Sequence, residues 1–374
     1  MRAPAAPGTP LAQADTPALV LELDAFEANL RRMQEALAGR DVRLRAHAKA
    51  HKSPEIARRQ IAAGAAGVCC QTVAEAEAMV GGGIEDVLVT NEVLGERKLA
   101  RLAALAGRAR LGACVDDPGN ARELDAACAA AGSRLDAYVE VDVGARRCGV
   151  APGAPALALA RAVVACTRLR FAGLQAYQGA AQHLRSLAER RAAIAAAAEA
   201  AHSTRKLLER EGIPCPVVTG GGTGSFAFEI ESGAWNEVQP GSYVFMDADY
   251  ARNEWGAPLP RFEHALFVLA AVISRPAPDR AVLDAGLKTL AVDSGMPAVR
   301  ERPGLACLRA SDEHLVVGIA PGAAAPALGE RLLLVPGHCD PTVNLHDWYV
   351  CVRGGVVEAL WPVAARGAPG WHEL

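Results

Sequence analysis

The chain has 374 residues, half of them apolar and about a fifth charged, with a formal net charge of −3. That balance suits a soluble globular protein of one large or two ordinary domains, and it points away from a nucleic-acid partner. No apolar run approaches the ~20 residues of a membrane-spanning helix. The stretch from Met1 to Ala14 is rich in Pro and Ala and lacks the apolar core of a signal peptide. The ten cysteines, scattered through apolar segments without a CxxC pair, read as buried free thiols in a cytoplasmic enzyme.

Thr16–Leu23 reads as a short apolar strand, followed by a helix, with Asp24 as its expected cap, on the spacing Phe26, Leu30, Met33, Leu37. Val42 and Leu44 then alternate with Arg43 and Arg45 and lead into Arg45-Ala46-His47-Ala48-Lys49-Ala50-His51-Lys52. Continued as a strand, this places His47, Lys49 and His51 on one face. Crowding by like charge lowers a lysine's pKa, which makes Lys49 a candidate nucleophilic amine; a solvated basic strand end that binds an anion is the other reading. Ser53-Pro54-Glu55 opens a helix with Ser as N-cap and Pro in the first turn. The same strand–helix rhythm continues through Gly67–Gln71, with Thr72 capping the next helix, Val87–Asn91 with the helix Glu96–Leu105, and Arg110–Asp116 with the helix Asn120–Ala131. Asp136–Asp142 and Leu169–Tyr177 are further strands, the latter followed by a long helix over Leu187–Glu211. Val217–Gly220 comes next, and Glu237–Gln239 with Tyr243–Phe245 makes the eighth.

Eight strands alternating with helices over roughly 250 residues predict a closed (β/α)8 barrel. An open doubly wound sheet would call for a GxGxxG turn after its first strand, and there is none. From Phe262 onward, short apolar runs separated by Gly and Pro predict a mostly antiparallel β domain, with Thr16–Leu23 as a candidate extra strand. The expected division is residues 25–260 for the barrel and 1–24 with 261–374 for the β domain.

Active sites in such barrels lie at the C-terminal strand ends. Those ends carry Lys49, Gln71, Asn91, Asp116, Arg146, Arg147, Tyr177, the run Thr219-Gly220-Gly221-Gly222-Thr223-Gly224-Ser225, and Ser242 with Tyr243. Glycines after the seventh strand suit a phosphate, and a phosphate opposite an amine suggests pyridoxal 5′-phosphate. His338 and Asp340 stand at i and i+2 in Pro336-Gly337-His338-Cys339-Asp340-Pro341-Thr342, so a strand would point both the same way; a His/Asp pair suits Mn2+ or Mg2+ with waters or substrate completing the shell, or it is a polar turn. His183, in the loop after Tyr177, is a candidate general base or a structural histidine.

Together, Arg45-x-His47-x-Lys49-x-His51-Lys52, Thr219–Gly224, His338-Cys339-Asp340-Pro341-Thr342 and Asn344-Leu345-His346-Asp347 resemble the D-threonine aldolase family of alanine-racemase-like pyridoxal phosphate enzymes. The resemblance runs from about Asp15 to Gly367. It implies a barrel followed by a β domain, usually in a head-to-tail homodimer acting on a small D-amino acid. It implies Lys49 as the lysine that holds the cofactor and Arg147 beside its phenolic oxygen. Gln71 and Tyr177 match cofactor contacts, and Gly222, Thr223 and Gly224 match the phosphate cradle. His338 and Asp340 match the metal ligands, and His183 matches the base. Ala46 departs from the family, which often has Pro there. The activity implied is retro-aldol cleavage of D-3-hydroxy amino acids to glycine and an aldehyde. The related branches cleave D-3-hydroxyaspartate or dehydrate D-serine and 3-hydroxyaspartate; the dehydratases typically carry Cys where this chain has Asp340. A racemase would need a second base opposite Lys49 and no metal. A non-catalytic cofactor carrier would have no use for His338 and Asp340, and a cofactor-free hydrolase would leave Lys49 idle.

Overall fold

The computed structural model describes residues 3–367; the extreme ends of the expected β domain, 1–2 and 368–374, lie outside them. Eight parallel strands close into a barrel in chain order: β2 Arg43–His47, β3 Gly67–Cys70, β4 Asp86–Glu92, β5 Arg110–Val115, β6 Leu135–Glu140, β7 Leu169–Gln175, β8 Val217–Gly220 and β9 Glu237–Val238. Most of these strands are buried on both faces, which is why they read as continuous apolar runs. Inside the barrel, Cys69, Leu88, Cys114, Tyr138, Ala172 and Val217 form one packed cluster.

β9 is only two residues long, so the closure needs help. Arg45 supplies it: the buried guanidinium donates from Nε to Glu237 Oε1 at 2.9 Å and from Nη1 to Asp86 Oδ1 at 2.6 Å, tying β2 to β9 and, across β3, to the start of β4. The eighth strand stops at Val238, and Ser242–Val244 forms a 3-10 turn instead of strand, because Pro240 and Gly241 interrupt the ladder. The helix Ala154–Val164 between β6 and β7, rich in alanine, was not singled out by periodicity. The first helix starts at Leu23, so Asp24 lies in its first turn and does not cap it.

The second unit is a nine-stranded sheet: β1 Ala18–Glu22, β10 Leu266–Ala277, β11 Arg280–Leu283, β12 Ala298–Val299, β13 Leu305–Ala310, β14 Leu315–Ile319, β15 Arg331–Val335, β16 Trp348–Arg353 and β17 Val356–Pro362. Its main path runs β13-β14-β11-β10-β1-β16-β17, with β15 joining β10 and β12. All pairings are antiparallel save β1 with β16. β1 therefore sits inside this sheet although it precedes the barrel, and its continuation, the helix Leu23–Leu37, packs Phe26 edge-on against Trp361 of β17 at 6.0 Å. Among the described residues no helix is long and apolar enough to cross a membrane.

Candidate active site

β2 ends at His47, and Ala48–Ala50 turns into a 3-10 helix capped by His47, whose Nδ1 accepts from the Lys49 amide at 3.4 Å. The three basic residues therefore do not share a strand face. His47 Nε2 turns to Thr90 Oγ1 at 3.0 Å, while His51 Nε2 turns away to Gln60 Oε1 at 3.1 Å. Burial pushes His47 well below the usual imidazole range and His51 down to about 4, so both are neutral at pH 7. Lys52 is neutralised by Glu75 at 2.9 Å. The crowding expected to lower the Lys49 pKa is thus absent. The Asp340 carboxylate, with Oδ2 3.5 Å from Nζ, instead raises it against the opposing effect of burial.

Lys49 opens into a pocket whose lining includes His47, Gln71, Thr90, Arg147, Tyr177 and Ser242. Gly221, Gly222 and Thr223 close its far side. A larger cleft, lined by Arg32, Arg261, Phe262 and Arg300, holds none of the strand-end residues, and convergence of chemistry, not size, points to the site. Gln71 donates to the Thr90 carbonyl at 3.2 Å. The Arg147 guanidinium lies 5.6 Å from the centre of the Tyr177 ring, with Nη2 3.6 Å from Glu140 Oε1.

The glycine run is held from behind. Gln182 accepts from the Gly224 amide at 2.9 Å and donates to Ser225 Oγ at 2.7 Å, and Ser225 donates to Glu229 at 2.8 Å. A Cβ on Gly222 would lie 2.5 Å from Gln182 Oε1, and Gly221 sits at φ +78°. Both positions are glycine for these reasons. Gly224 spends its N–H on Gln182 and is not part of the lining, so it supports the cradle instead of donating into it. Thr223 Oγ1 is buried in the lining without a hydrogen-bond partner. A fully buried hydroxyl left unpaired at a glycine-lined wall fits an anionic oxygen.

On the Lys49 side, Ser242 Oγ donates to Asp340 Oδ1 at 3.4 Å. Tyr243, next in the same 3-10 turn, points the other way: its hydroxyl accepts from Gln60 Nε2 at 3.4 Å and its ring packs on Phe262. Tyr243 therefore supports the wall and its side chain is absent from the lining. His338 and Asp340 are not on a strand; His338 is the N-cap of the short helix Cys339–Val343 that contains Asp340. His338 Nδ1 lies 2.7 Å from Asp293 Oδ2. Burial raises the Asp340 pKa, but Lys49 and His338 hold it below the usual carboxylate range. Among the described residues neither belongs to a group of three His, Cys, Asp or Glu ligand atoms within 4.8 Å.

His183 closes a 3-10 turn at the pocket's rim, half exposed, stacked on the lining residue Tyr250 with ring centres 6.2 Å apart. Its Nδ1 lies 2.8 Å from Asp249 Oδ2. Burial alone would raise the Asp249 pKa, but hydrogen bonds from Arg185, His183 and Arg252 bring it down to about 2. An ionised Asp249 accepts, which puts the imidazole hydrogen on Nδ1 and leaves Nε2 as the acceptor. Thr90, Gln175, Gln239, Tyr250, Asp249 and Asp293 were not singled out as site residues from the sequence. Gln175 had a signal, since it shares strand parity with Tyr177; the others lie in no motif.

Comparison with known proteins agrees with this architecture. Residues 21–249 match the alanine racemase N-terminal domain family, and residues 265–352 match a putative serine dehydratase domain. The chain is 53% identical to a D-threonine aldolase of Arthrobacter sp., over 97% of this chain and 96% of that one. It is 47% identical to a 3-hydroxy-D-aspartate aldolase of Paracoccus denitrificans, over 97% and 95%. The crystal structure of a D-threonine aldolase from Filomicrobium marinum superposes with a TM-score of 0.95 at 54% identity, covering 98% of this chain and 99% of that one. The chain belongs to the alanine-racemase-like family of D-threonine and 3-hydroxy-D-aspartate aldolases, which are carbon–carbon lyases.

Proposed function

We propose that this protein cleaves D-3-hydroxy amino acids of the D-threonine type to glycine and an aldehyde, with pyridoxal 5′-phosphate held by Lys49 and a divalent ion, Mn2+ or Mg2+, held by His338 and Asp340. The observation that carries the reading is the 3.5 Å approach of Lys49 Nζ to Asp340 Oδ2, which brings a β-domain carboxylate up to the barrel amine that opens into the pocket. Pyridoxal phosphate, when bound, supplies an electron sink for the carbanion left by bond cleavage, and a divalent ion supplies the charge that makes a β-hydroxyl a stronger acid.

The chain's own residues do the rest. Thr223 and the backbone at Gly221 and Gly222 bind the phosphate, and Tyr177 with Gln71 and Ser242 frames the cofactor. Arg147 is placed to hold the phenolic oxygen. His183, oriented by Asp249, accepts the β-hydroxyl proton at Nε2. Relatives named for D-threonine and for 3-hydroxy-D-aspartate support the substrate class. The same reading carries a homodimer, supported by the exposed Ile273, Leu308 and Leu328 on the β domain. It also carries cytoplasmic residence, supported by ten free cysteines. Product analysis tests it. D-threonine should give glycine and acetaldehyde, and chelator should stop the reaction until Mn2+ or Mg2+ is restored. Ammonia and a keto acid as the main products would assign the chain to dehydration instead.

A further inference from the structure

Beside the pocket, on the side of Arg147, a second set of donors converges that the proposed reaction does not use. Glu92 ends β4, Asp116 follows β5, and Cys148 lies in the loop after β6; one ligand atom from each falls within 4.8 Å of the others. Glu140, the last residue of β6, is 4% exposed and its carboxyl faces Glu92 and Asp116. Glu140 Oε2 has no hydrogen-bond partner and neither has Glu92 Oε1, although both atoms are buried. Arg147 Nη2 lies 3.6 Å from Glu140 Oε1, and Asp116 Oδ2 accepts from the Gly149 amide at 3.1 Å.

Three carboxyl groups crowd together in a partly closed space with two of their oxygens unpaired, an arrangement that is costly without a counter-ion. We propose that Glu92, Asp116 and Cys148, with Glu140 behind them, form a second metal site, separate from His338 and Asp340, for a borderline divalent ion such as Zn2+. Two carboxylate oxygens and one sulfur, with water in the fourth position, match the donor tastes of Zn2+, and its two charges offset the excess negative charge of the site. On binding, the S–H bond of Cys148 breaks, sulfur keeps the electron pair to form the Zn–S bond, and the proton leaves to solvent. The ion would fasten the ends of two adjacent barrel strands and the loop that carries Arg147.

The site stands on these four residues and not on the aldolase reading, and the test keeps the two apart. Wild type, Asp340→Ala and Asp340→Ala/Cys148→Ser are stripped with chelator, loaded with Zn2+, desalted and analysed for metal; the same proteins are titrated with Co2+ and followed by near-ultraviolet absorption. The Asp340→Ala protein should keep one Zn2+ per chain and show a thiolate-to-Co2+ charge-transfer band. Adding Cys148→Ser should abolish that band and weaken zinc retention at least about tenfold, with circular dichroism unchanged. Glu92→Gln in the Asp340→Ala background should weaken retention in the same way. An Asp340→Ala protein that retains no zinc overturns the proposal, as does a Co2+ spectrum unaffected by Cys148→Ser.

Discussion

The two sides of the pocket are built in opposite ways. The glycine side comes from one continuous stretch, Thr219–Ser225, braced by Gln182 and the helix Phe226–Ser232 through hydrogen bonds that are all in place. The Lys49 side is assembled from three distant segments carrying Lys49, Ser242 and Asp340, which touch only at 3.4–3.5 Å. What holds that second side lies behind it. Tyr349 of β16 donates to the His51 carbonyl at 2.6 Å, the Cys339 amide donates to Asp247 Oδ2 at 3.0 Å, and the Ala248 amide donates to the Pro336 carbonyl at 2.9 Å. Local backbone makes an anion cradle; docking of a sheet onto a barrel places opposite charges. The first should survive changes in the second.

Asp340→Ala probes that independence hardest. Losing the carboxylate should lower kcat/KM about a thousandfold, the several kcal/mol expected of a lost charge stabiliser. Cofactor absorbance and affinity should stay near wild type, because the glycine side is untouched. Loss of cofactor together with activity would show that the two sides are one unit. His183→Asn comes next, with an expected fall of about a hundredfold in kcat, the usual scale for a missing proton acceptor. Asp249→Asn should cost less, since the imidazole stays and only its orientation and tautomer are released; an equal loss in both variants would mean that Asp249 does more than position the ring. Thr223→Val acts on the opposite wall. Removing the unpaired hydroxyl should weaken cofactor binding about tenfold, the scale of one hydrogen bond to a charged group, measured by absorbance titration. Unchanged affinity would place the phosphate elsewhere.

The same contrast explains what could be read in the sequence. The barrel was legible because its strands are apolar runs at a steady interval, and the glycine cradle because it is contiguous. The membership of β1 in the far sheet was legible as a run left over once eight strands were counted. β12, two residues long, and β13, partly exposed, offered little periodicity. At the site, local pattern failed where tertiary contact decides. Lys49 looked crowded by cations, yet its histidine neighbours are neutral through burial and its charge partner is Asp340 from the other domain. Tyr243 and Gly224 looked like lining residues because their neighbours are, and a single turn directs them elsewhere. Asp249 and Asp293, the partners of His183 and His338, lie in no motif and become visible only when the loops are folded together.

The smallest predicted effect concerns Glu229, beneath the cradle. It is 1% exposed; one carboxylate oxygen accepts from Ser225 and the other has no partner. Burial lifts its pKa from 4.5 to about 7, against the opposing Ser225 hydrogen bond. A carboxyl whose folded pKa is raised favours the folded state fully below its unfolded pKa, and that contribution is lost as pH rises through the folded value. Wild-type cofactor-free protein should therefore lose stability from Glu229 between pH 4.5 and about 7. Glu229→Gln carries no titrating proton and keeps an oxygen for Ser225 to donate to. Its Tm relative to wild type should rise across that window, by a few degrees at pH 8 compared with pH 5. Thermal melts of both proteins at the two pH values decide the matter, and a constant offset would mean that Glu229 does not titrate there.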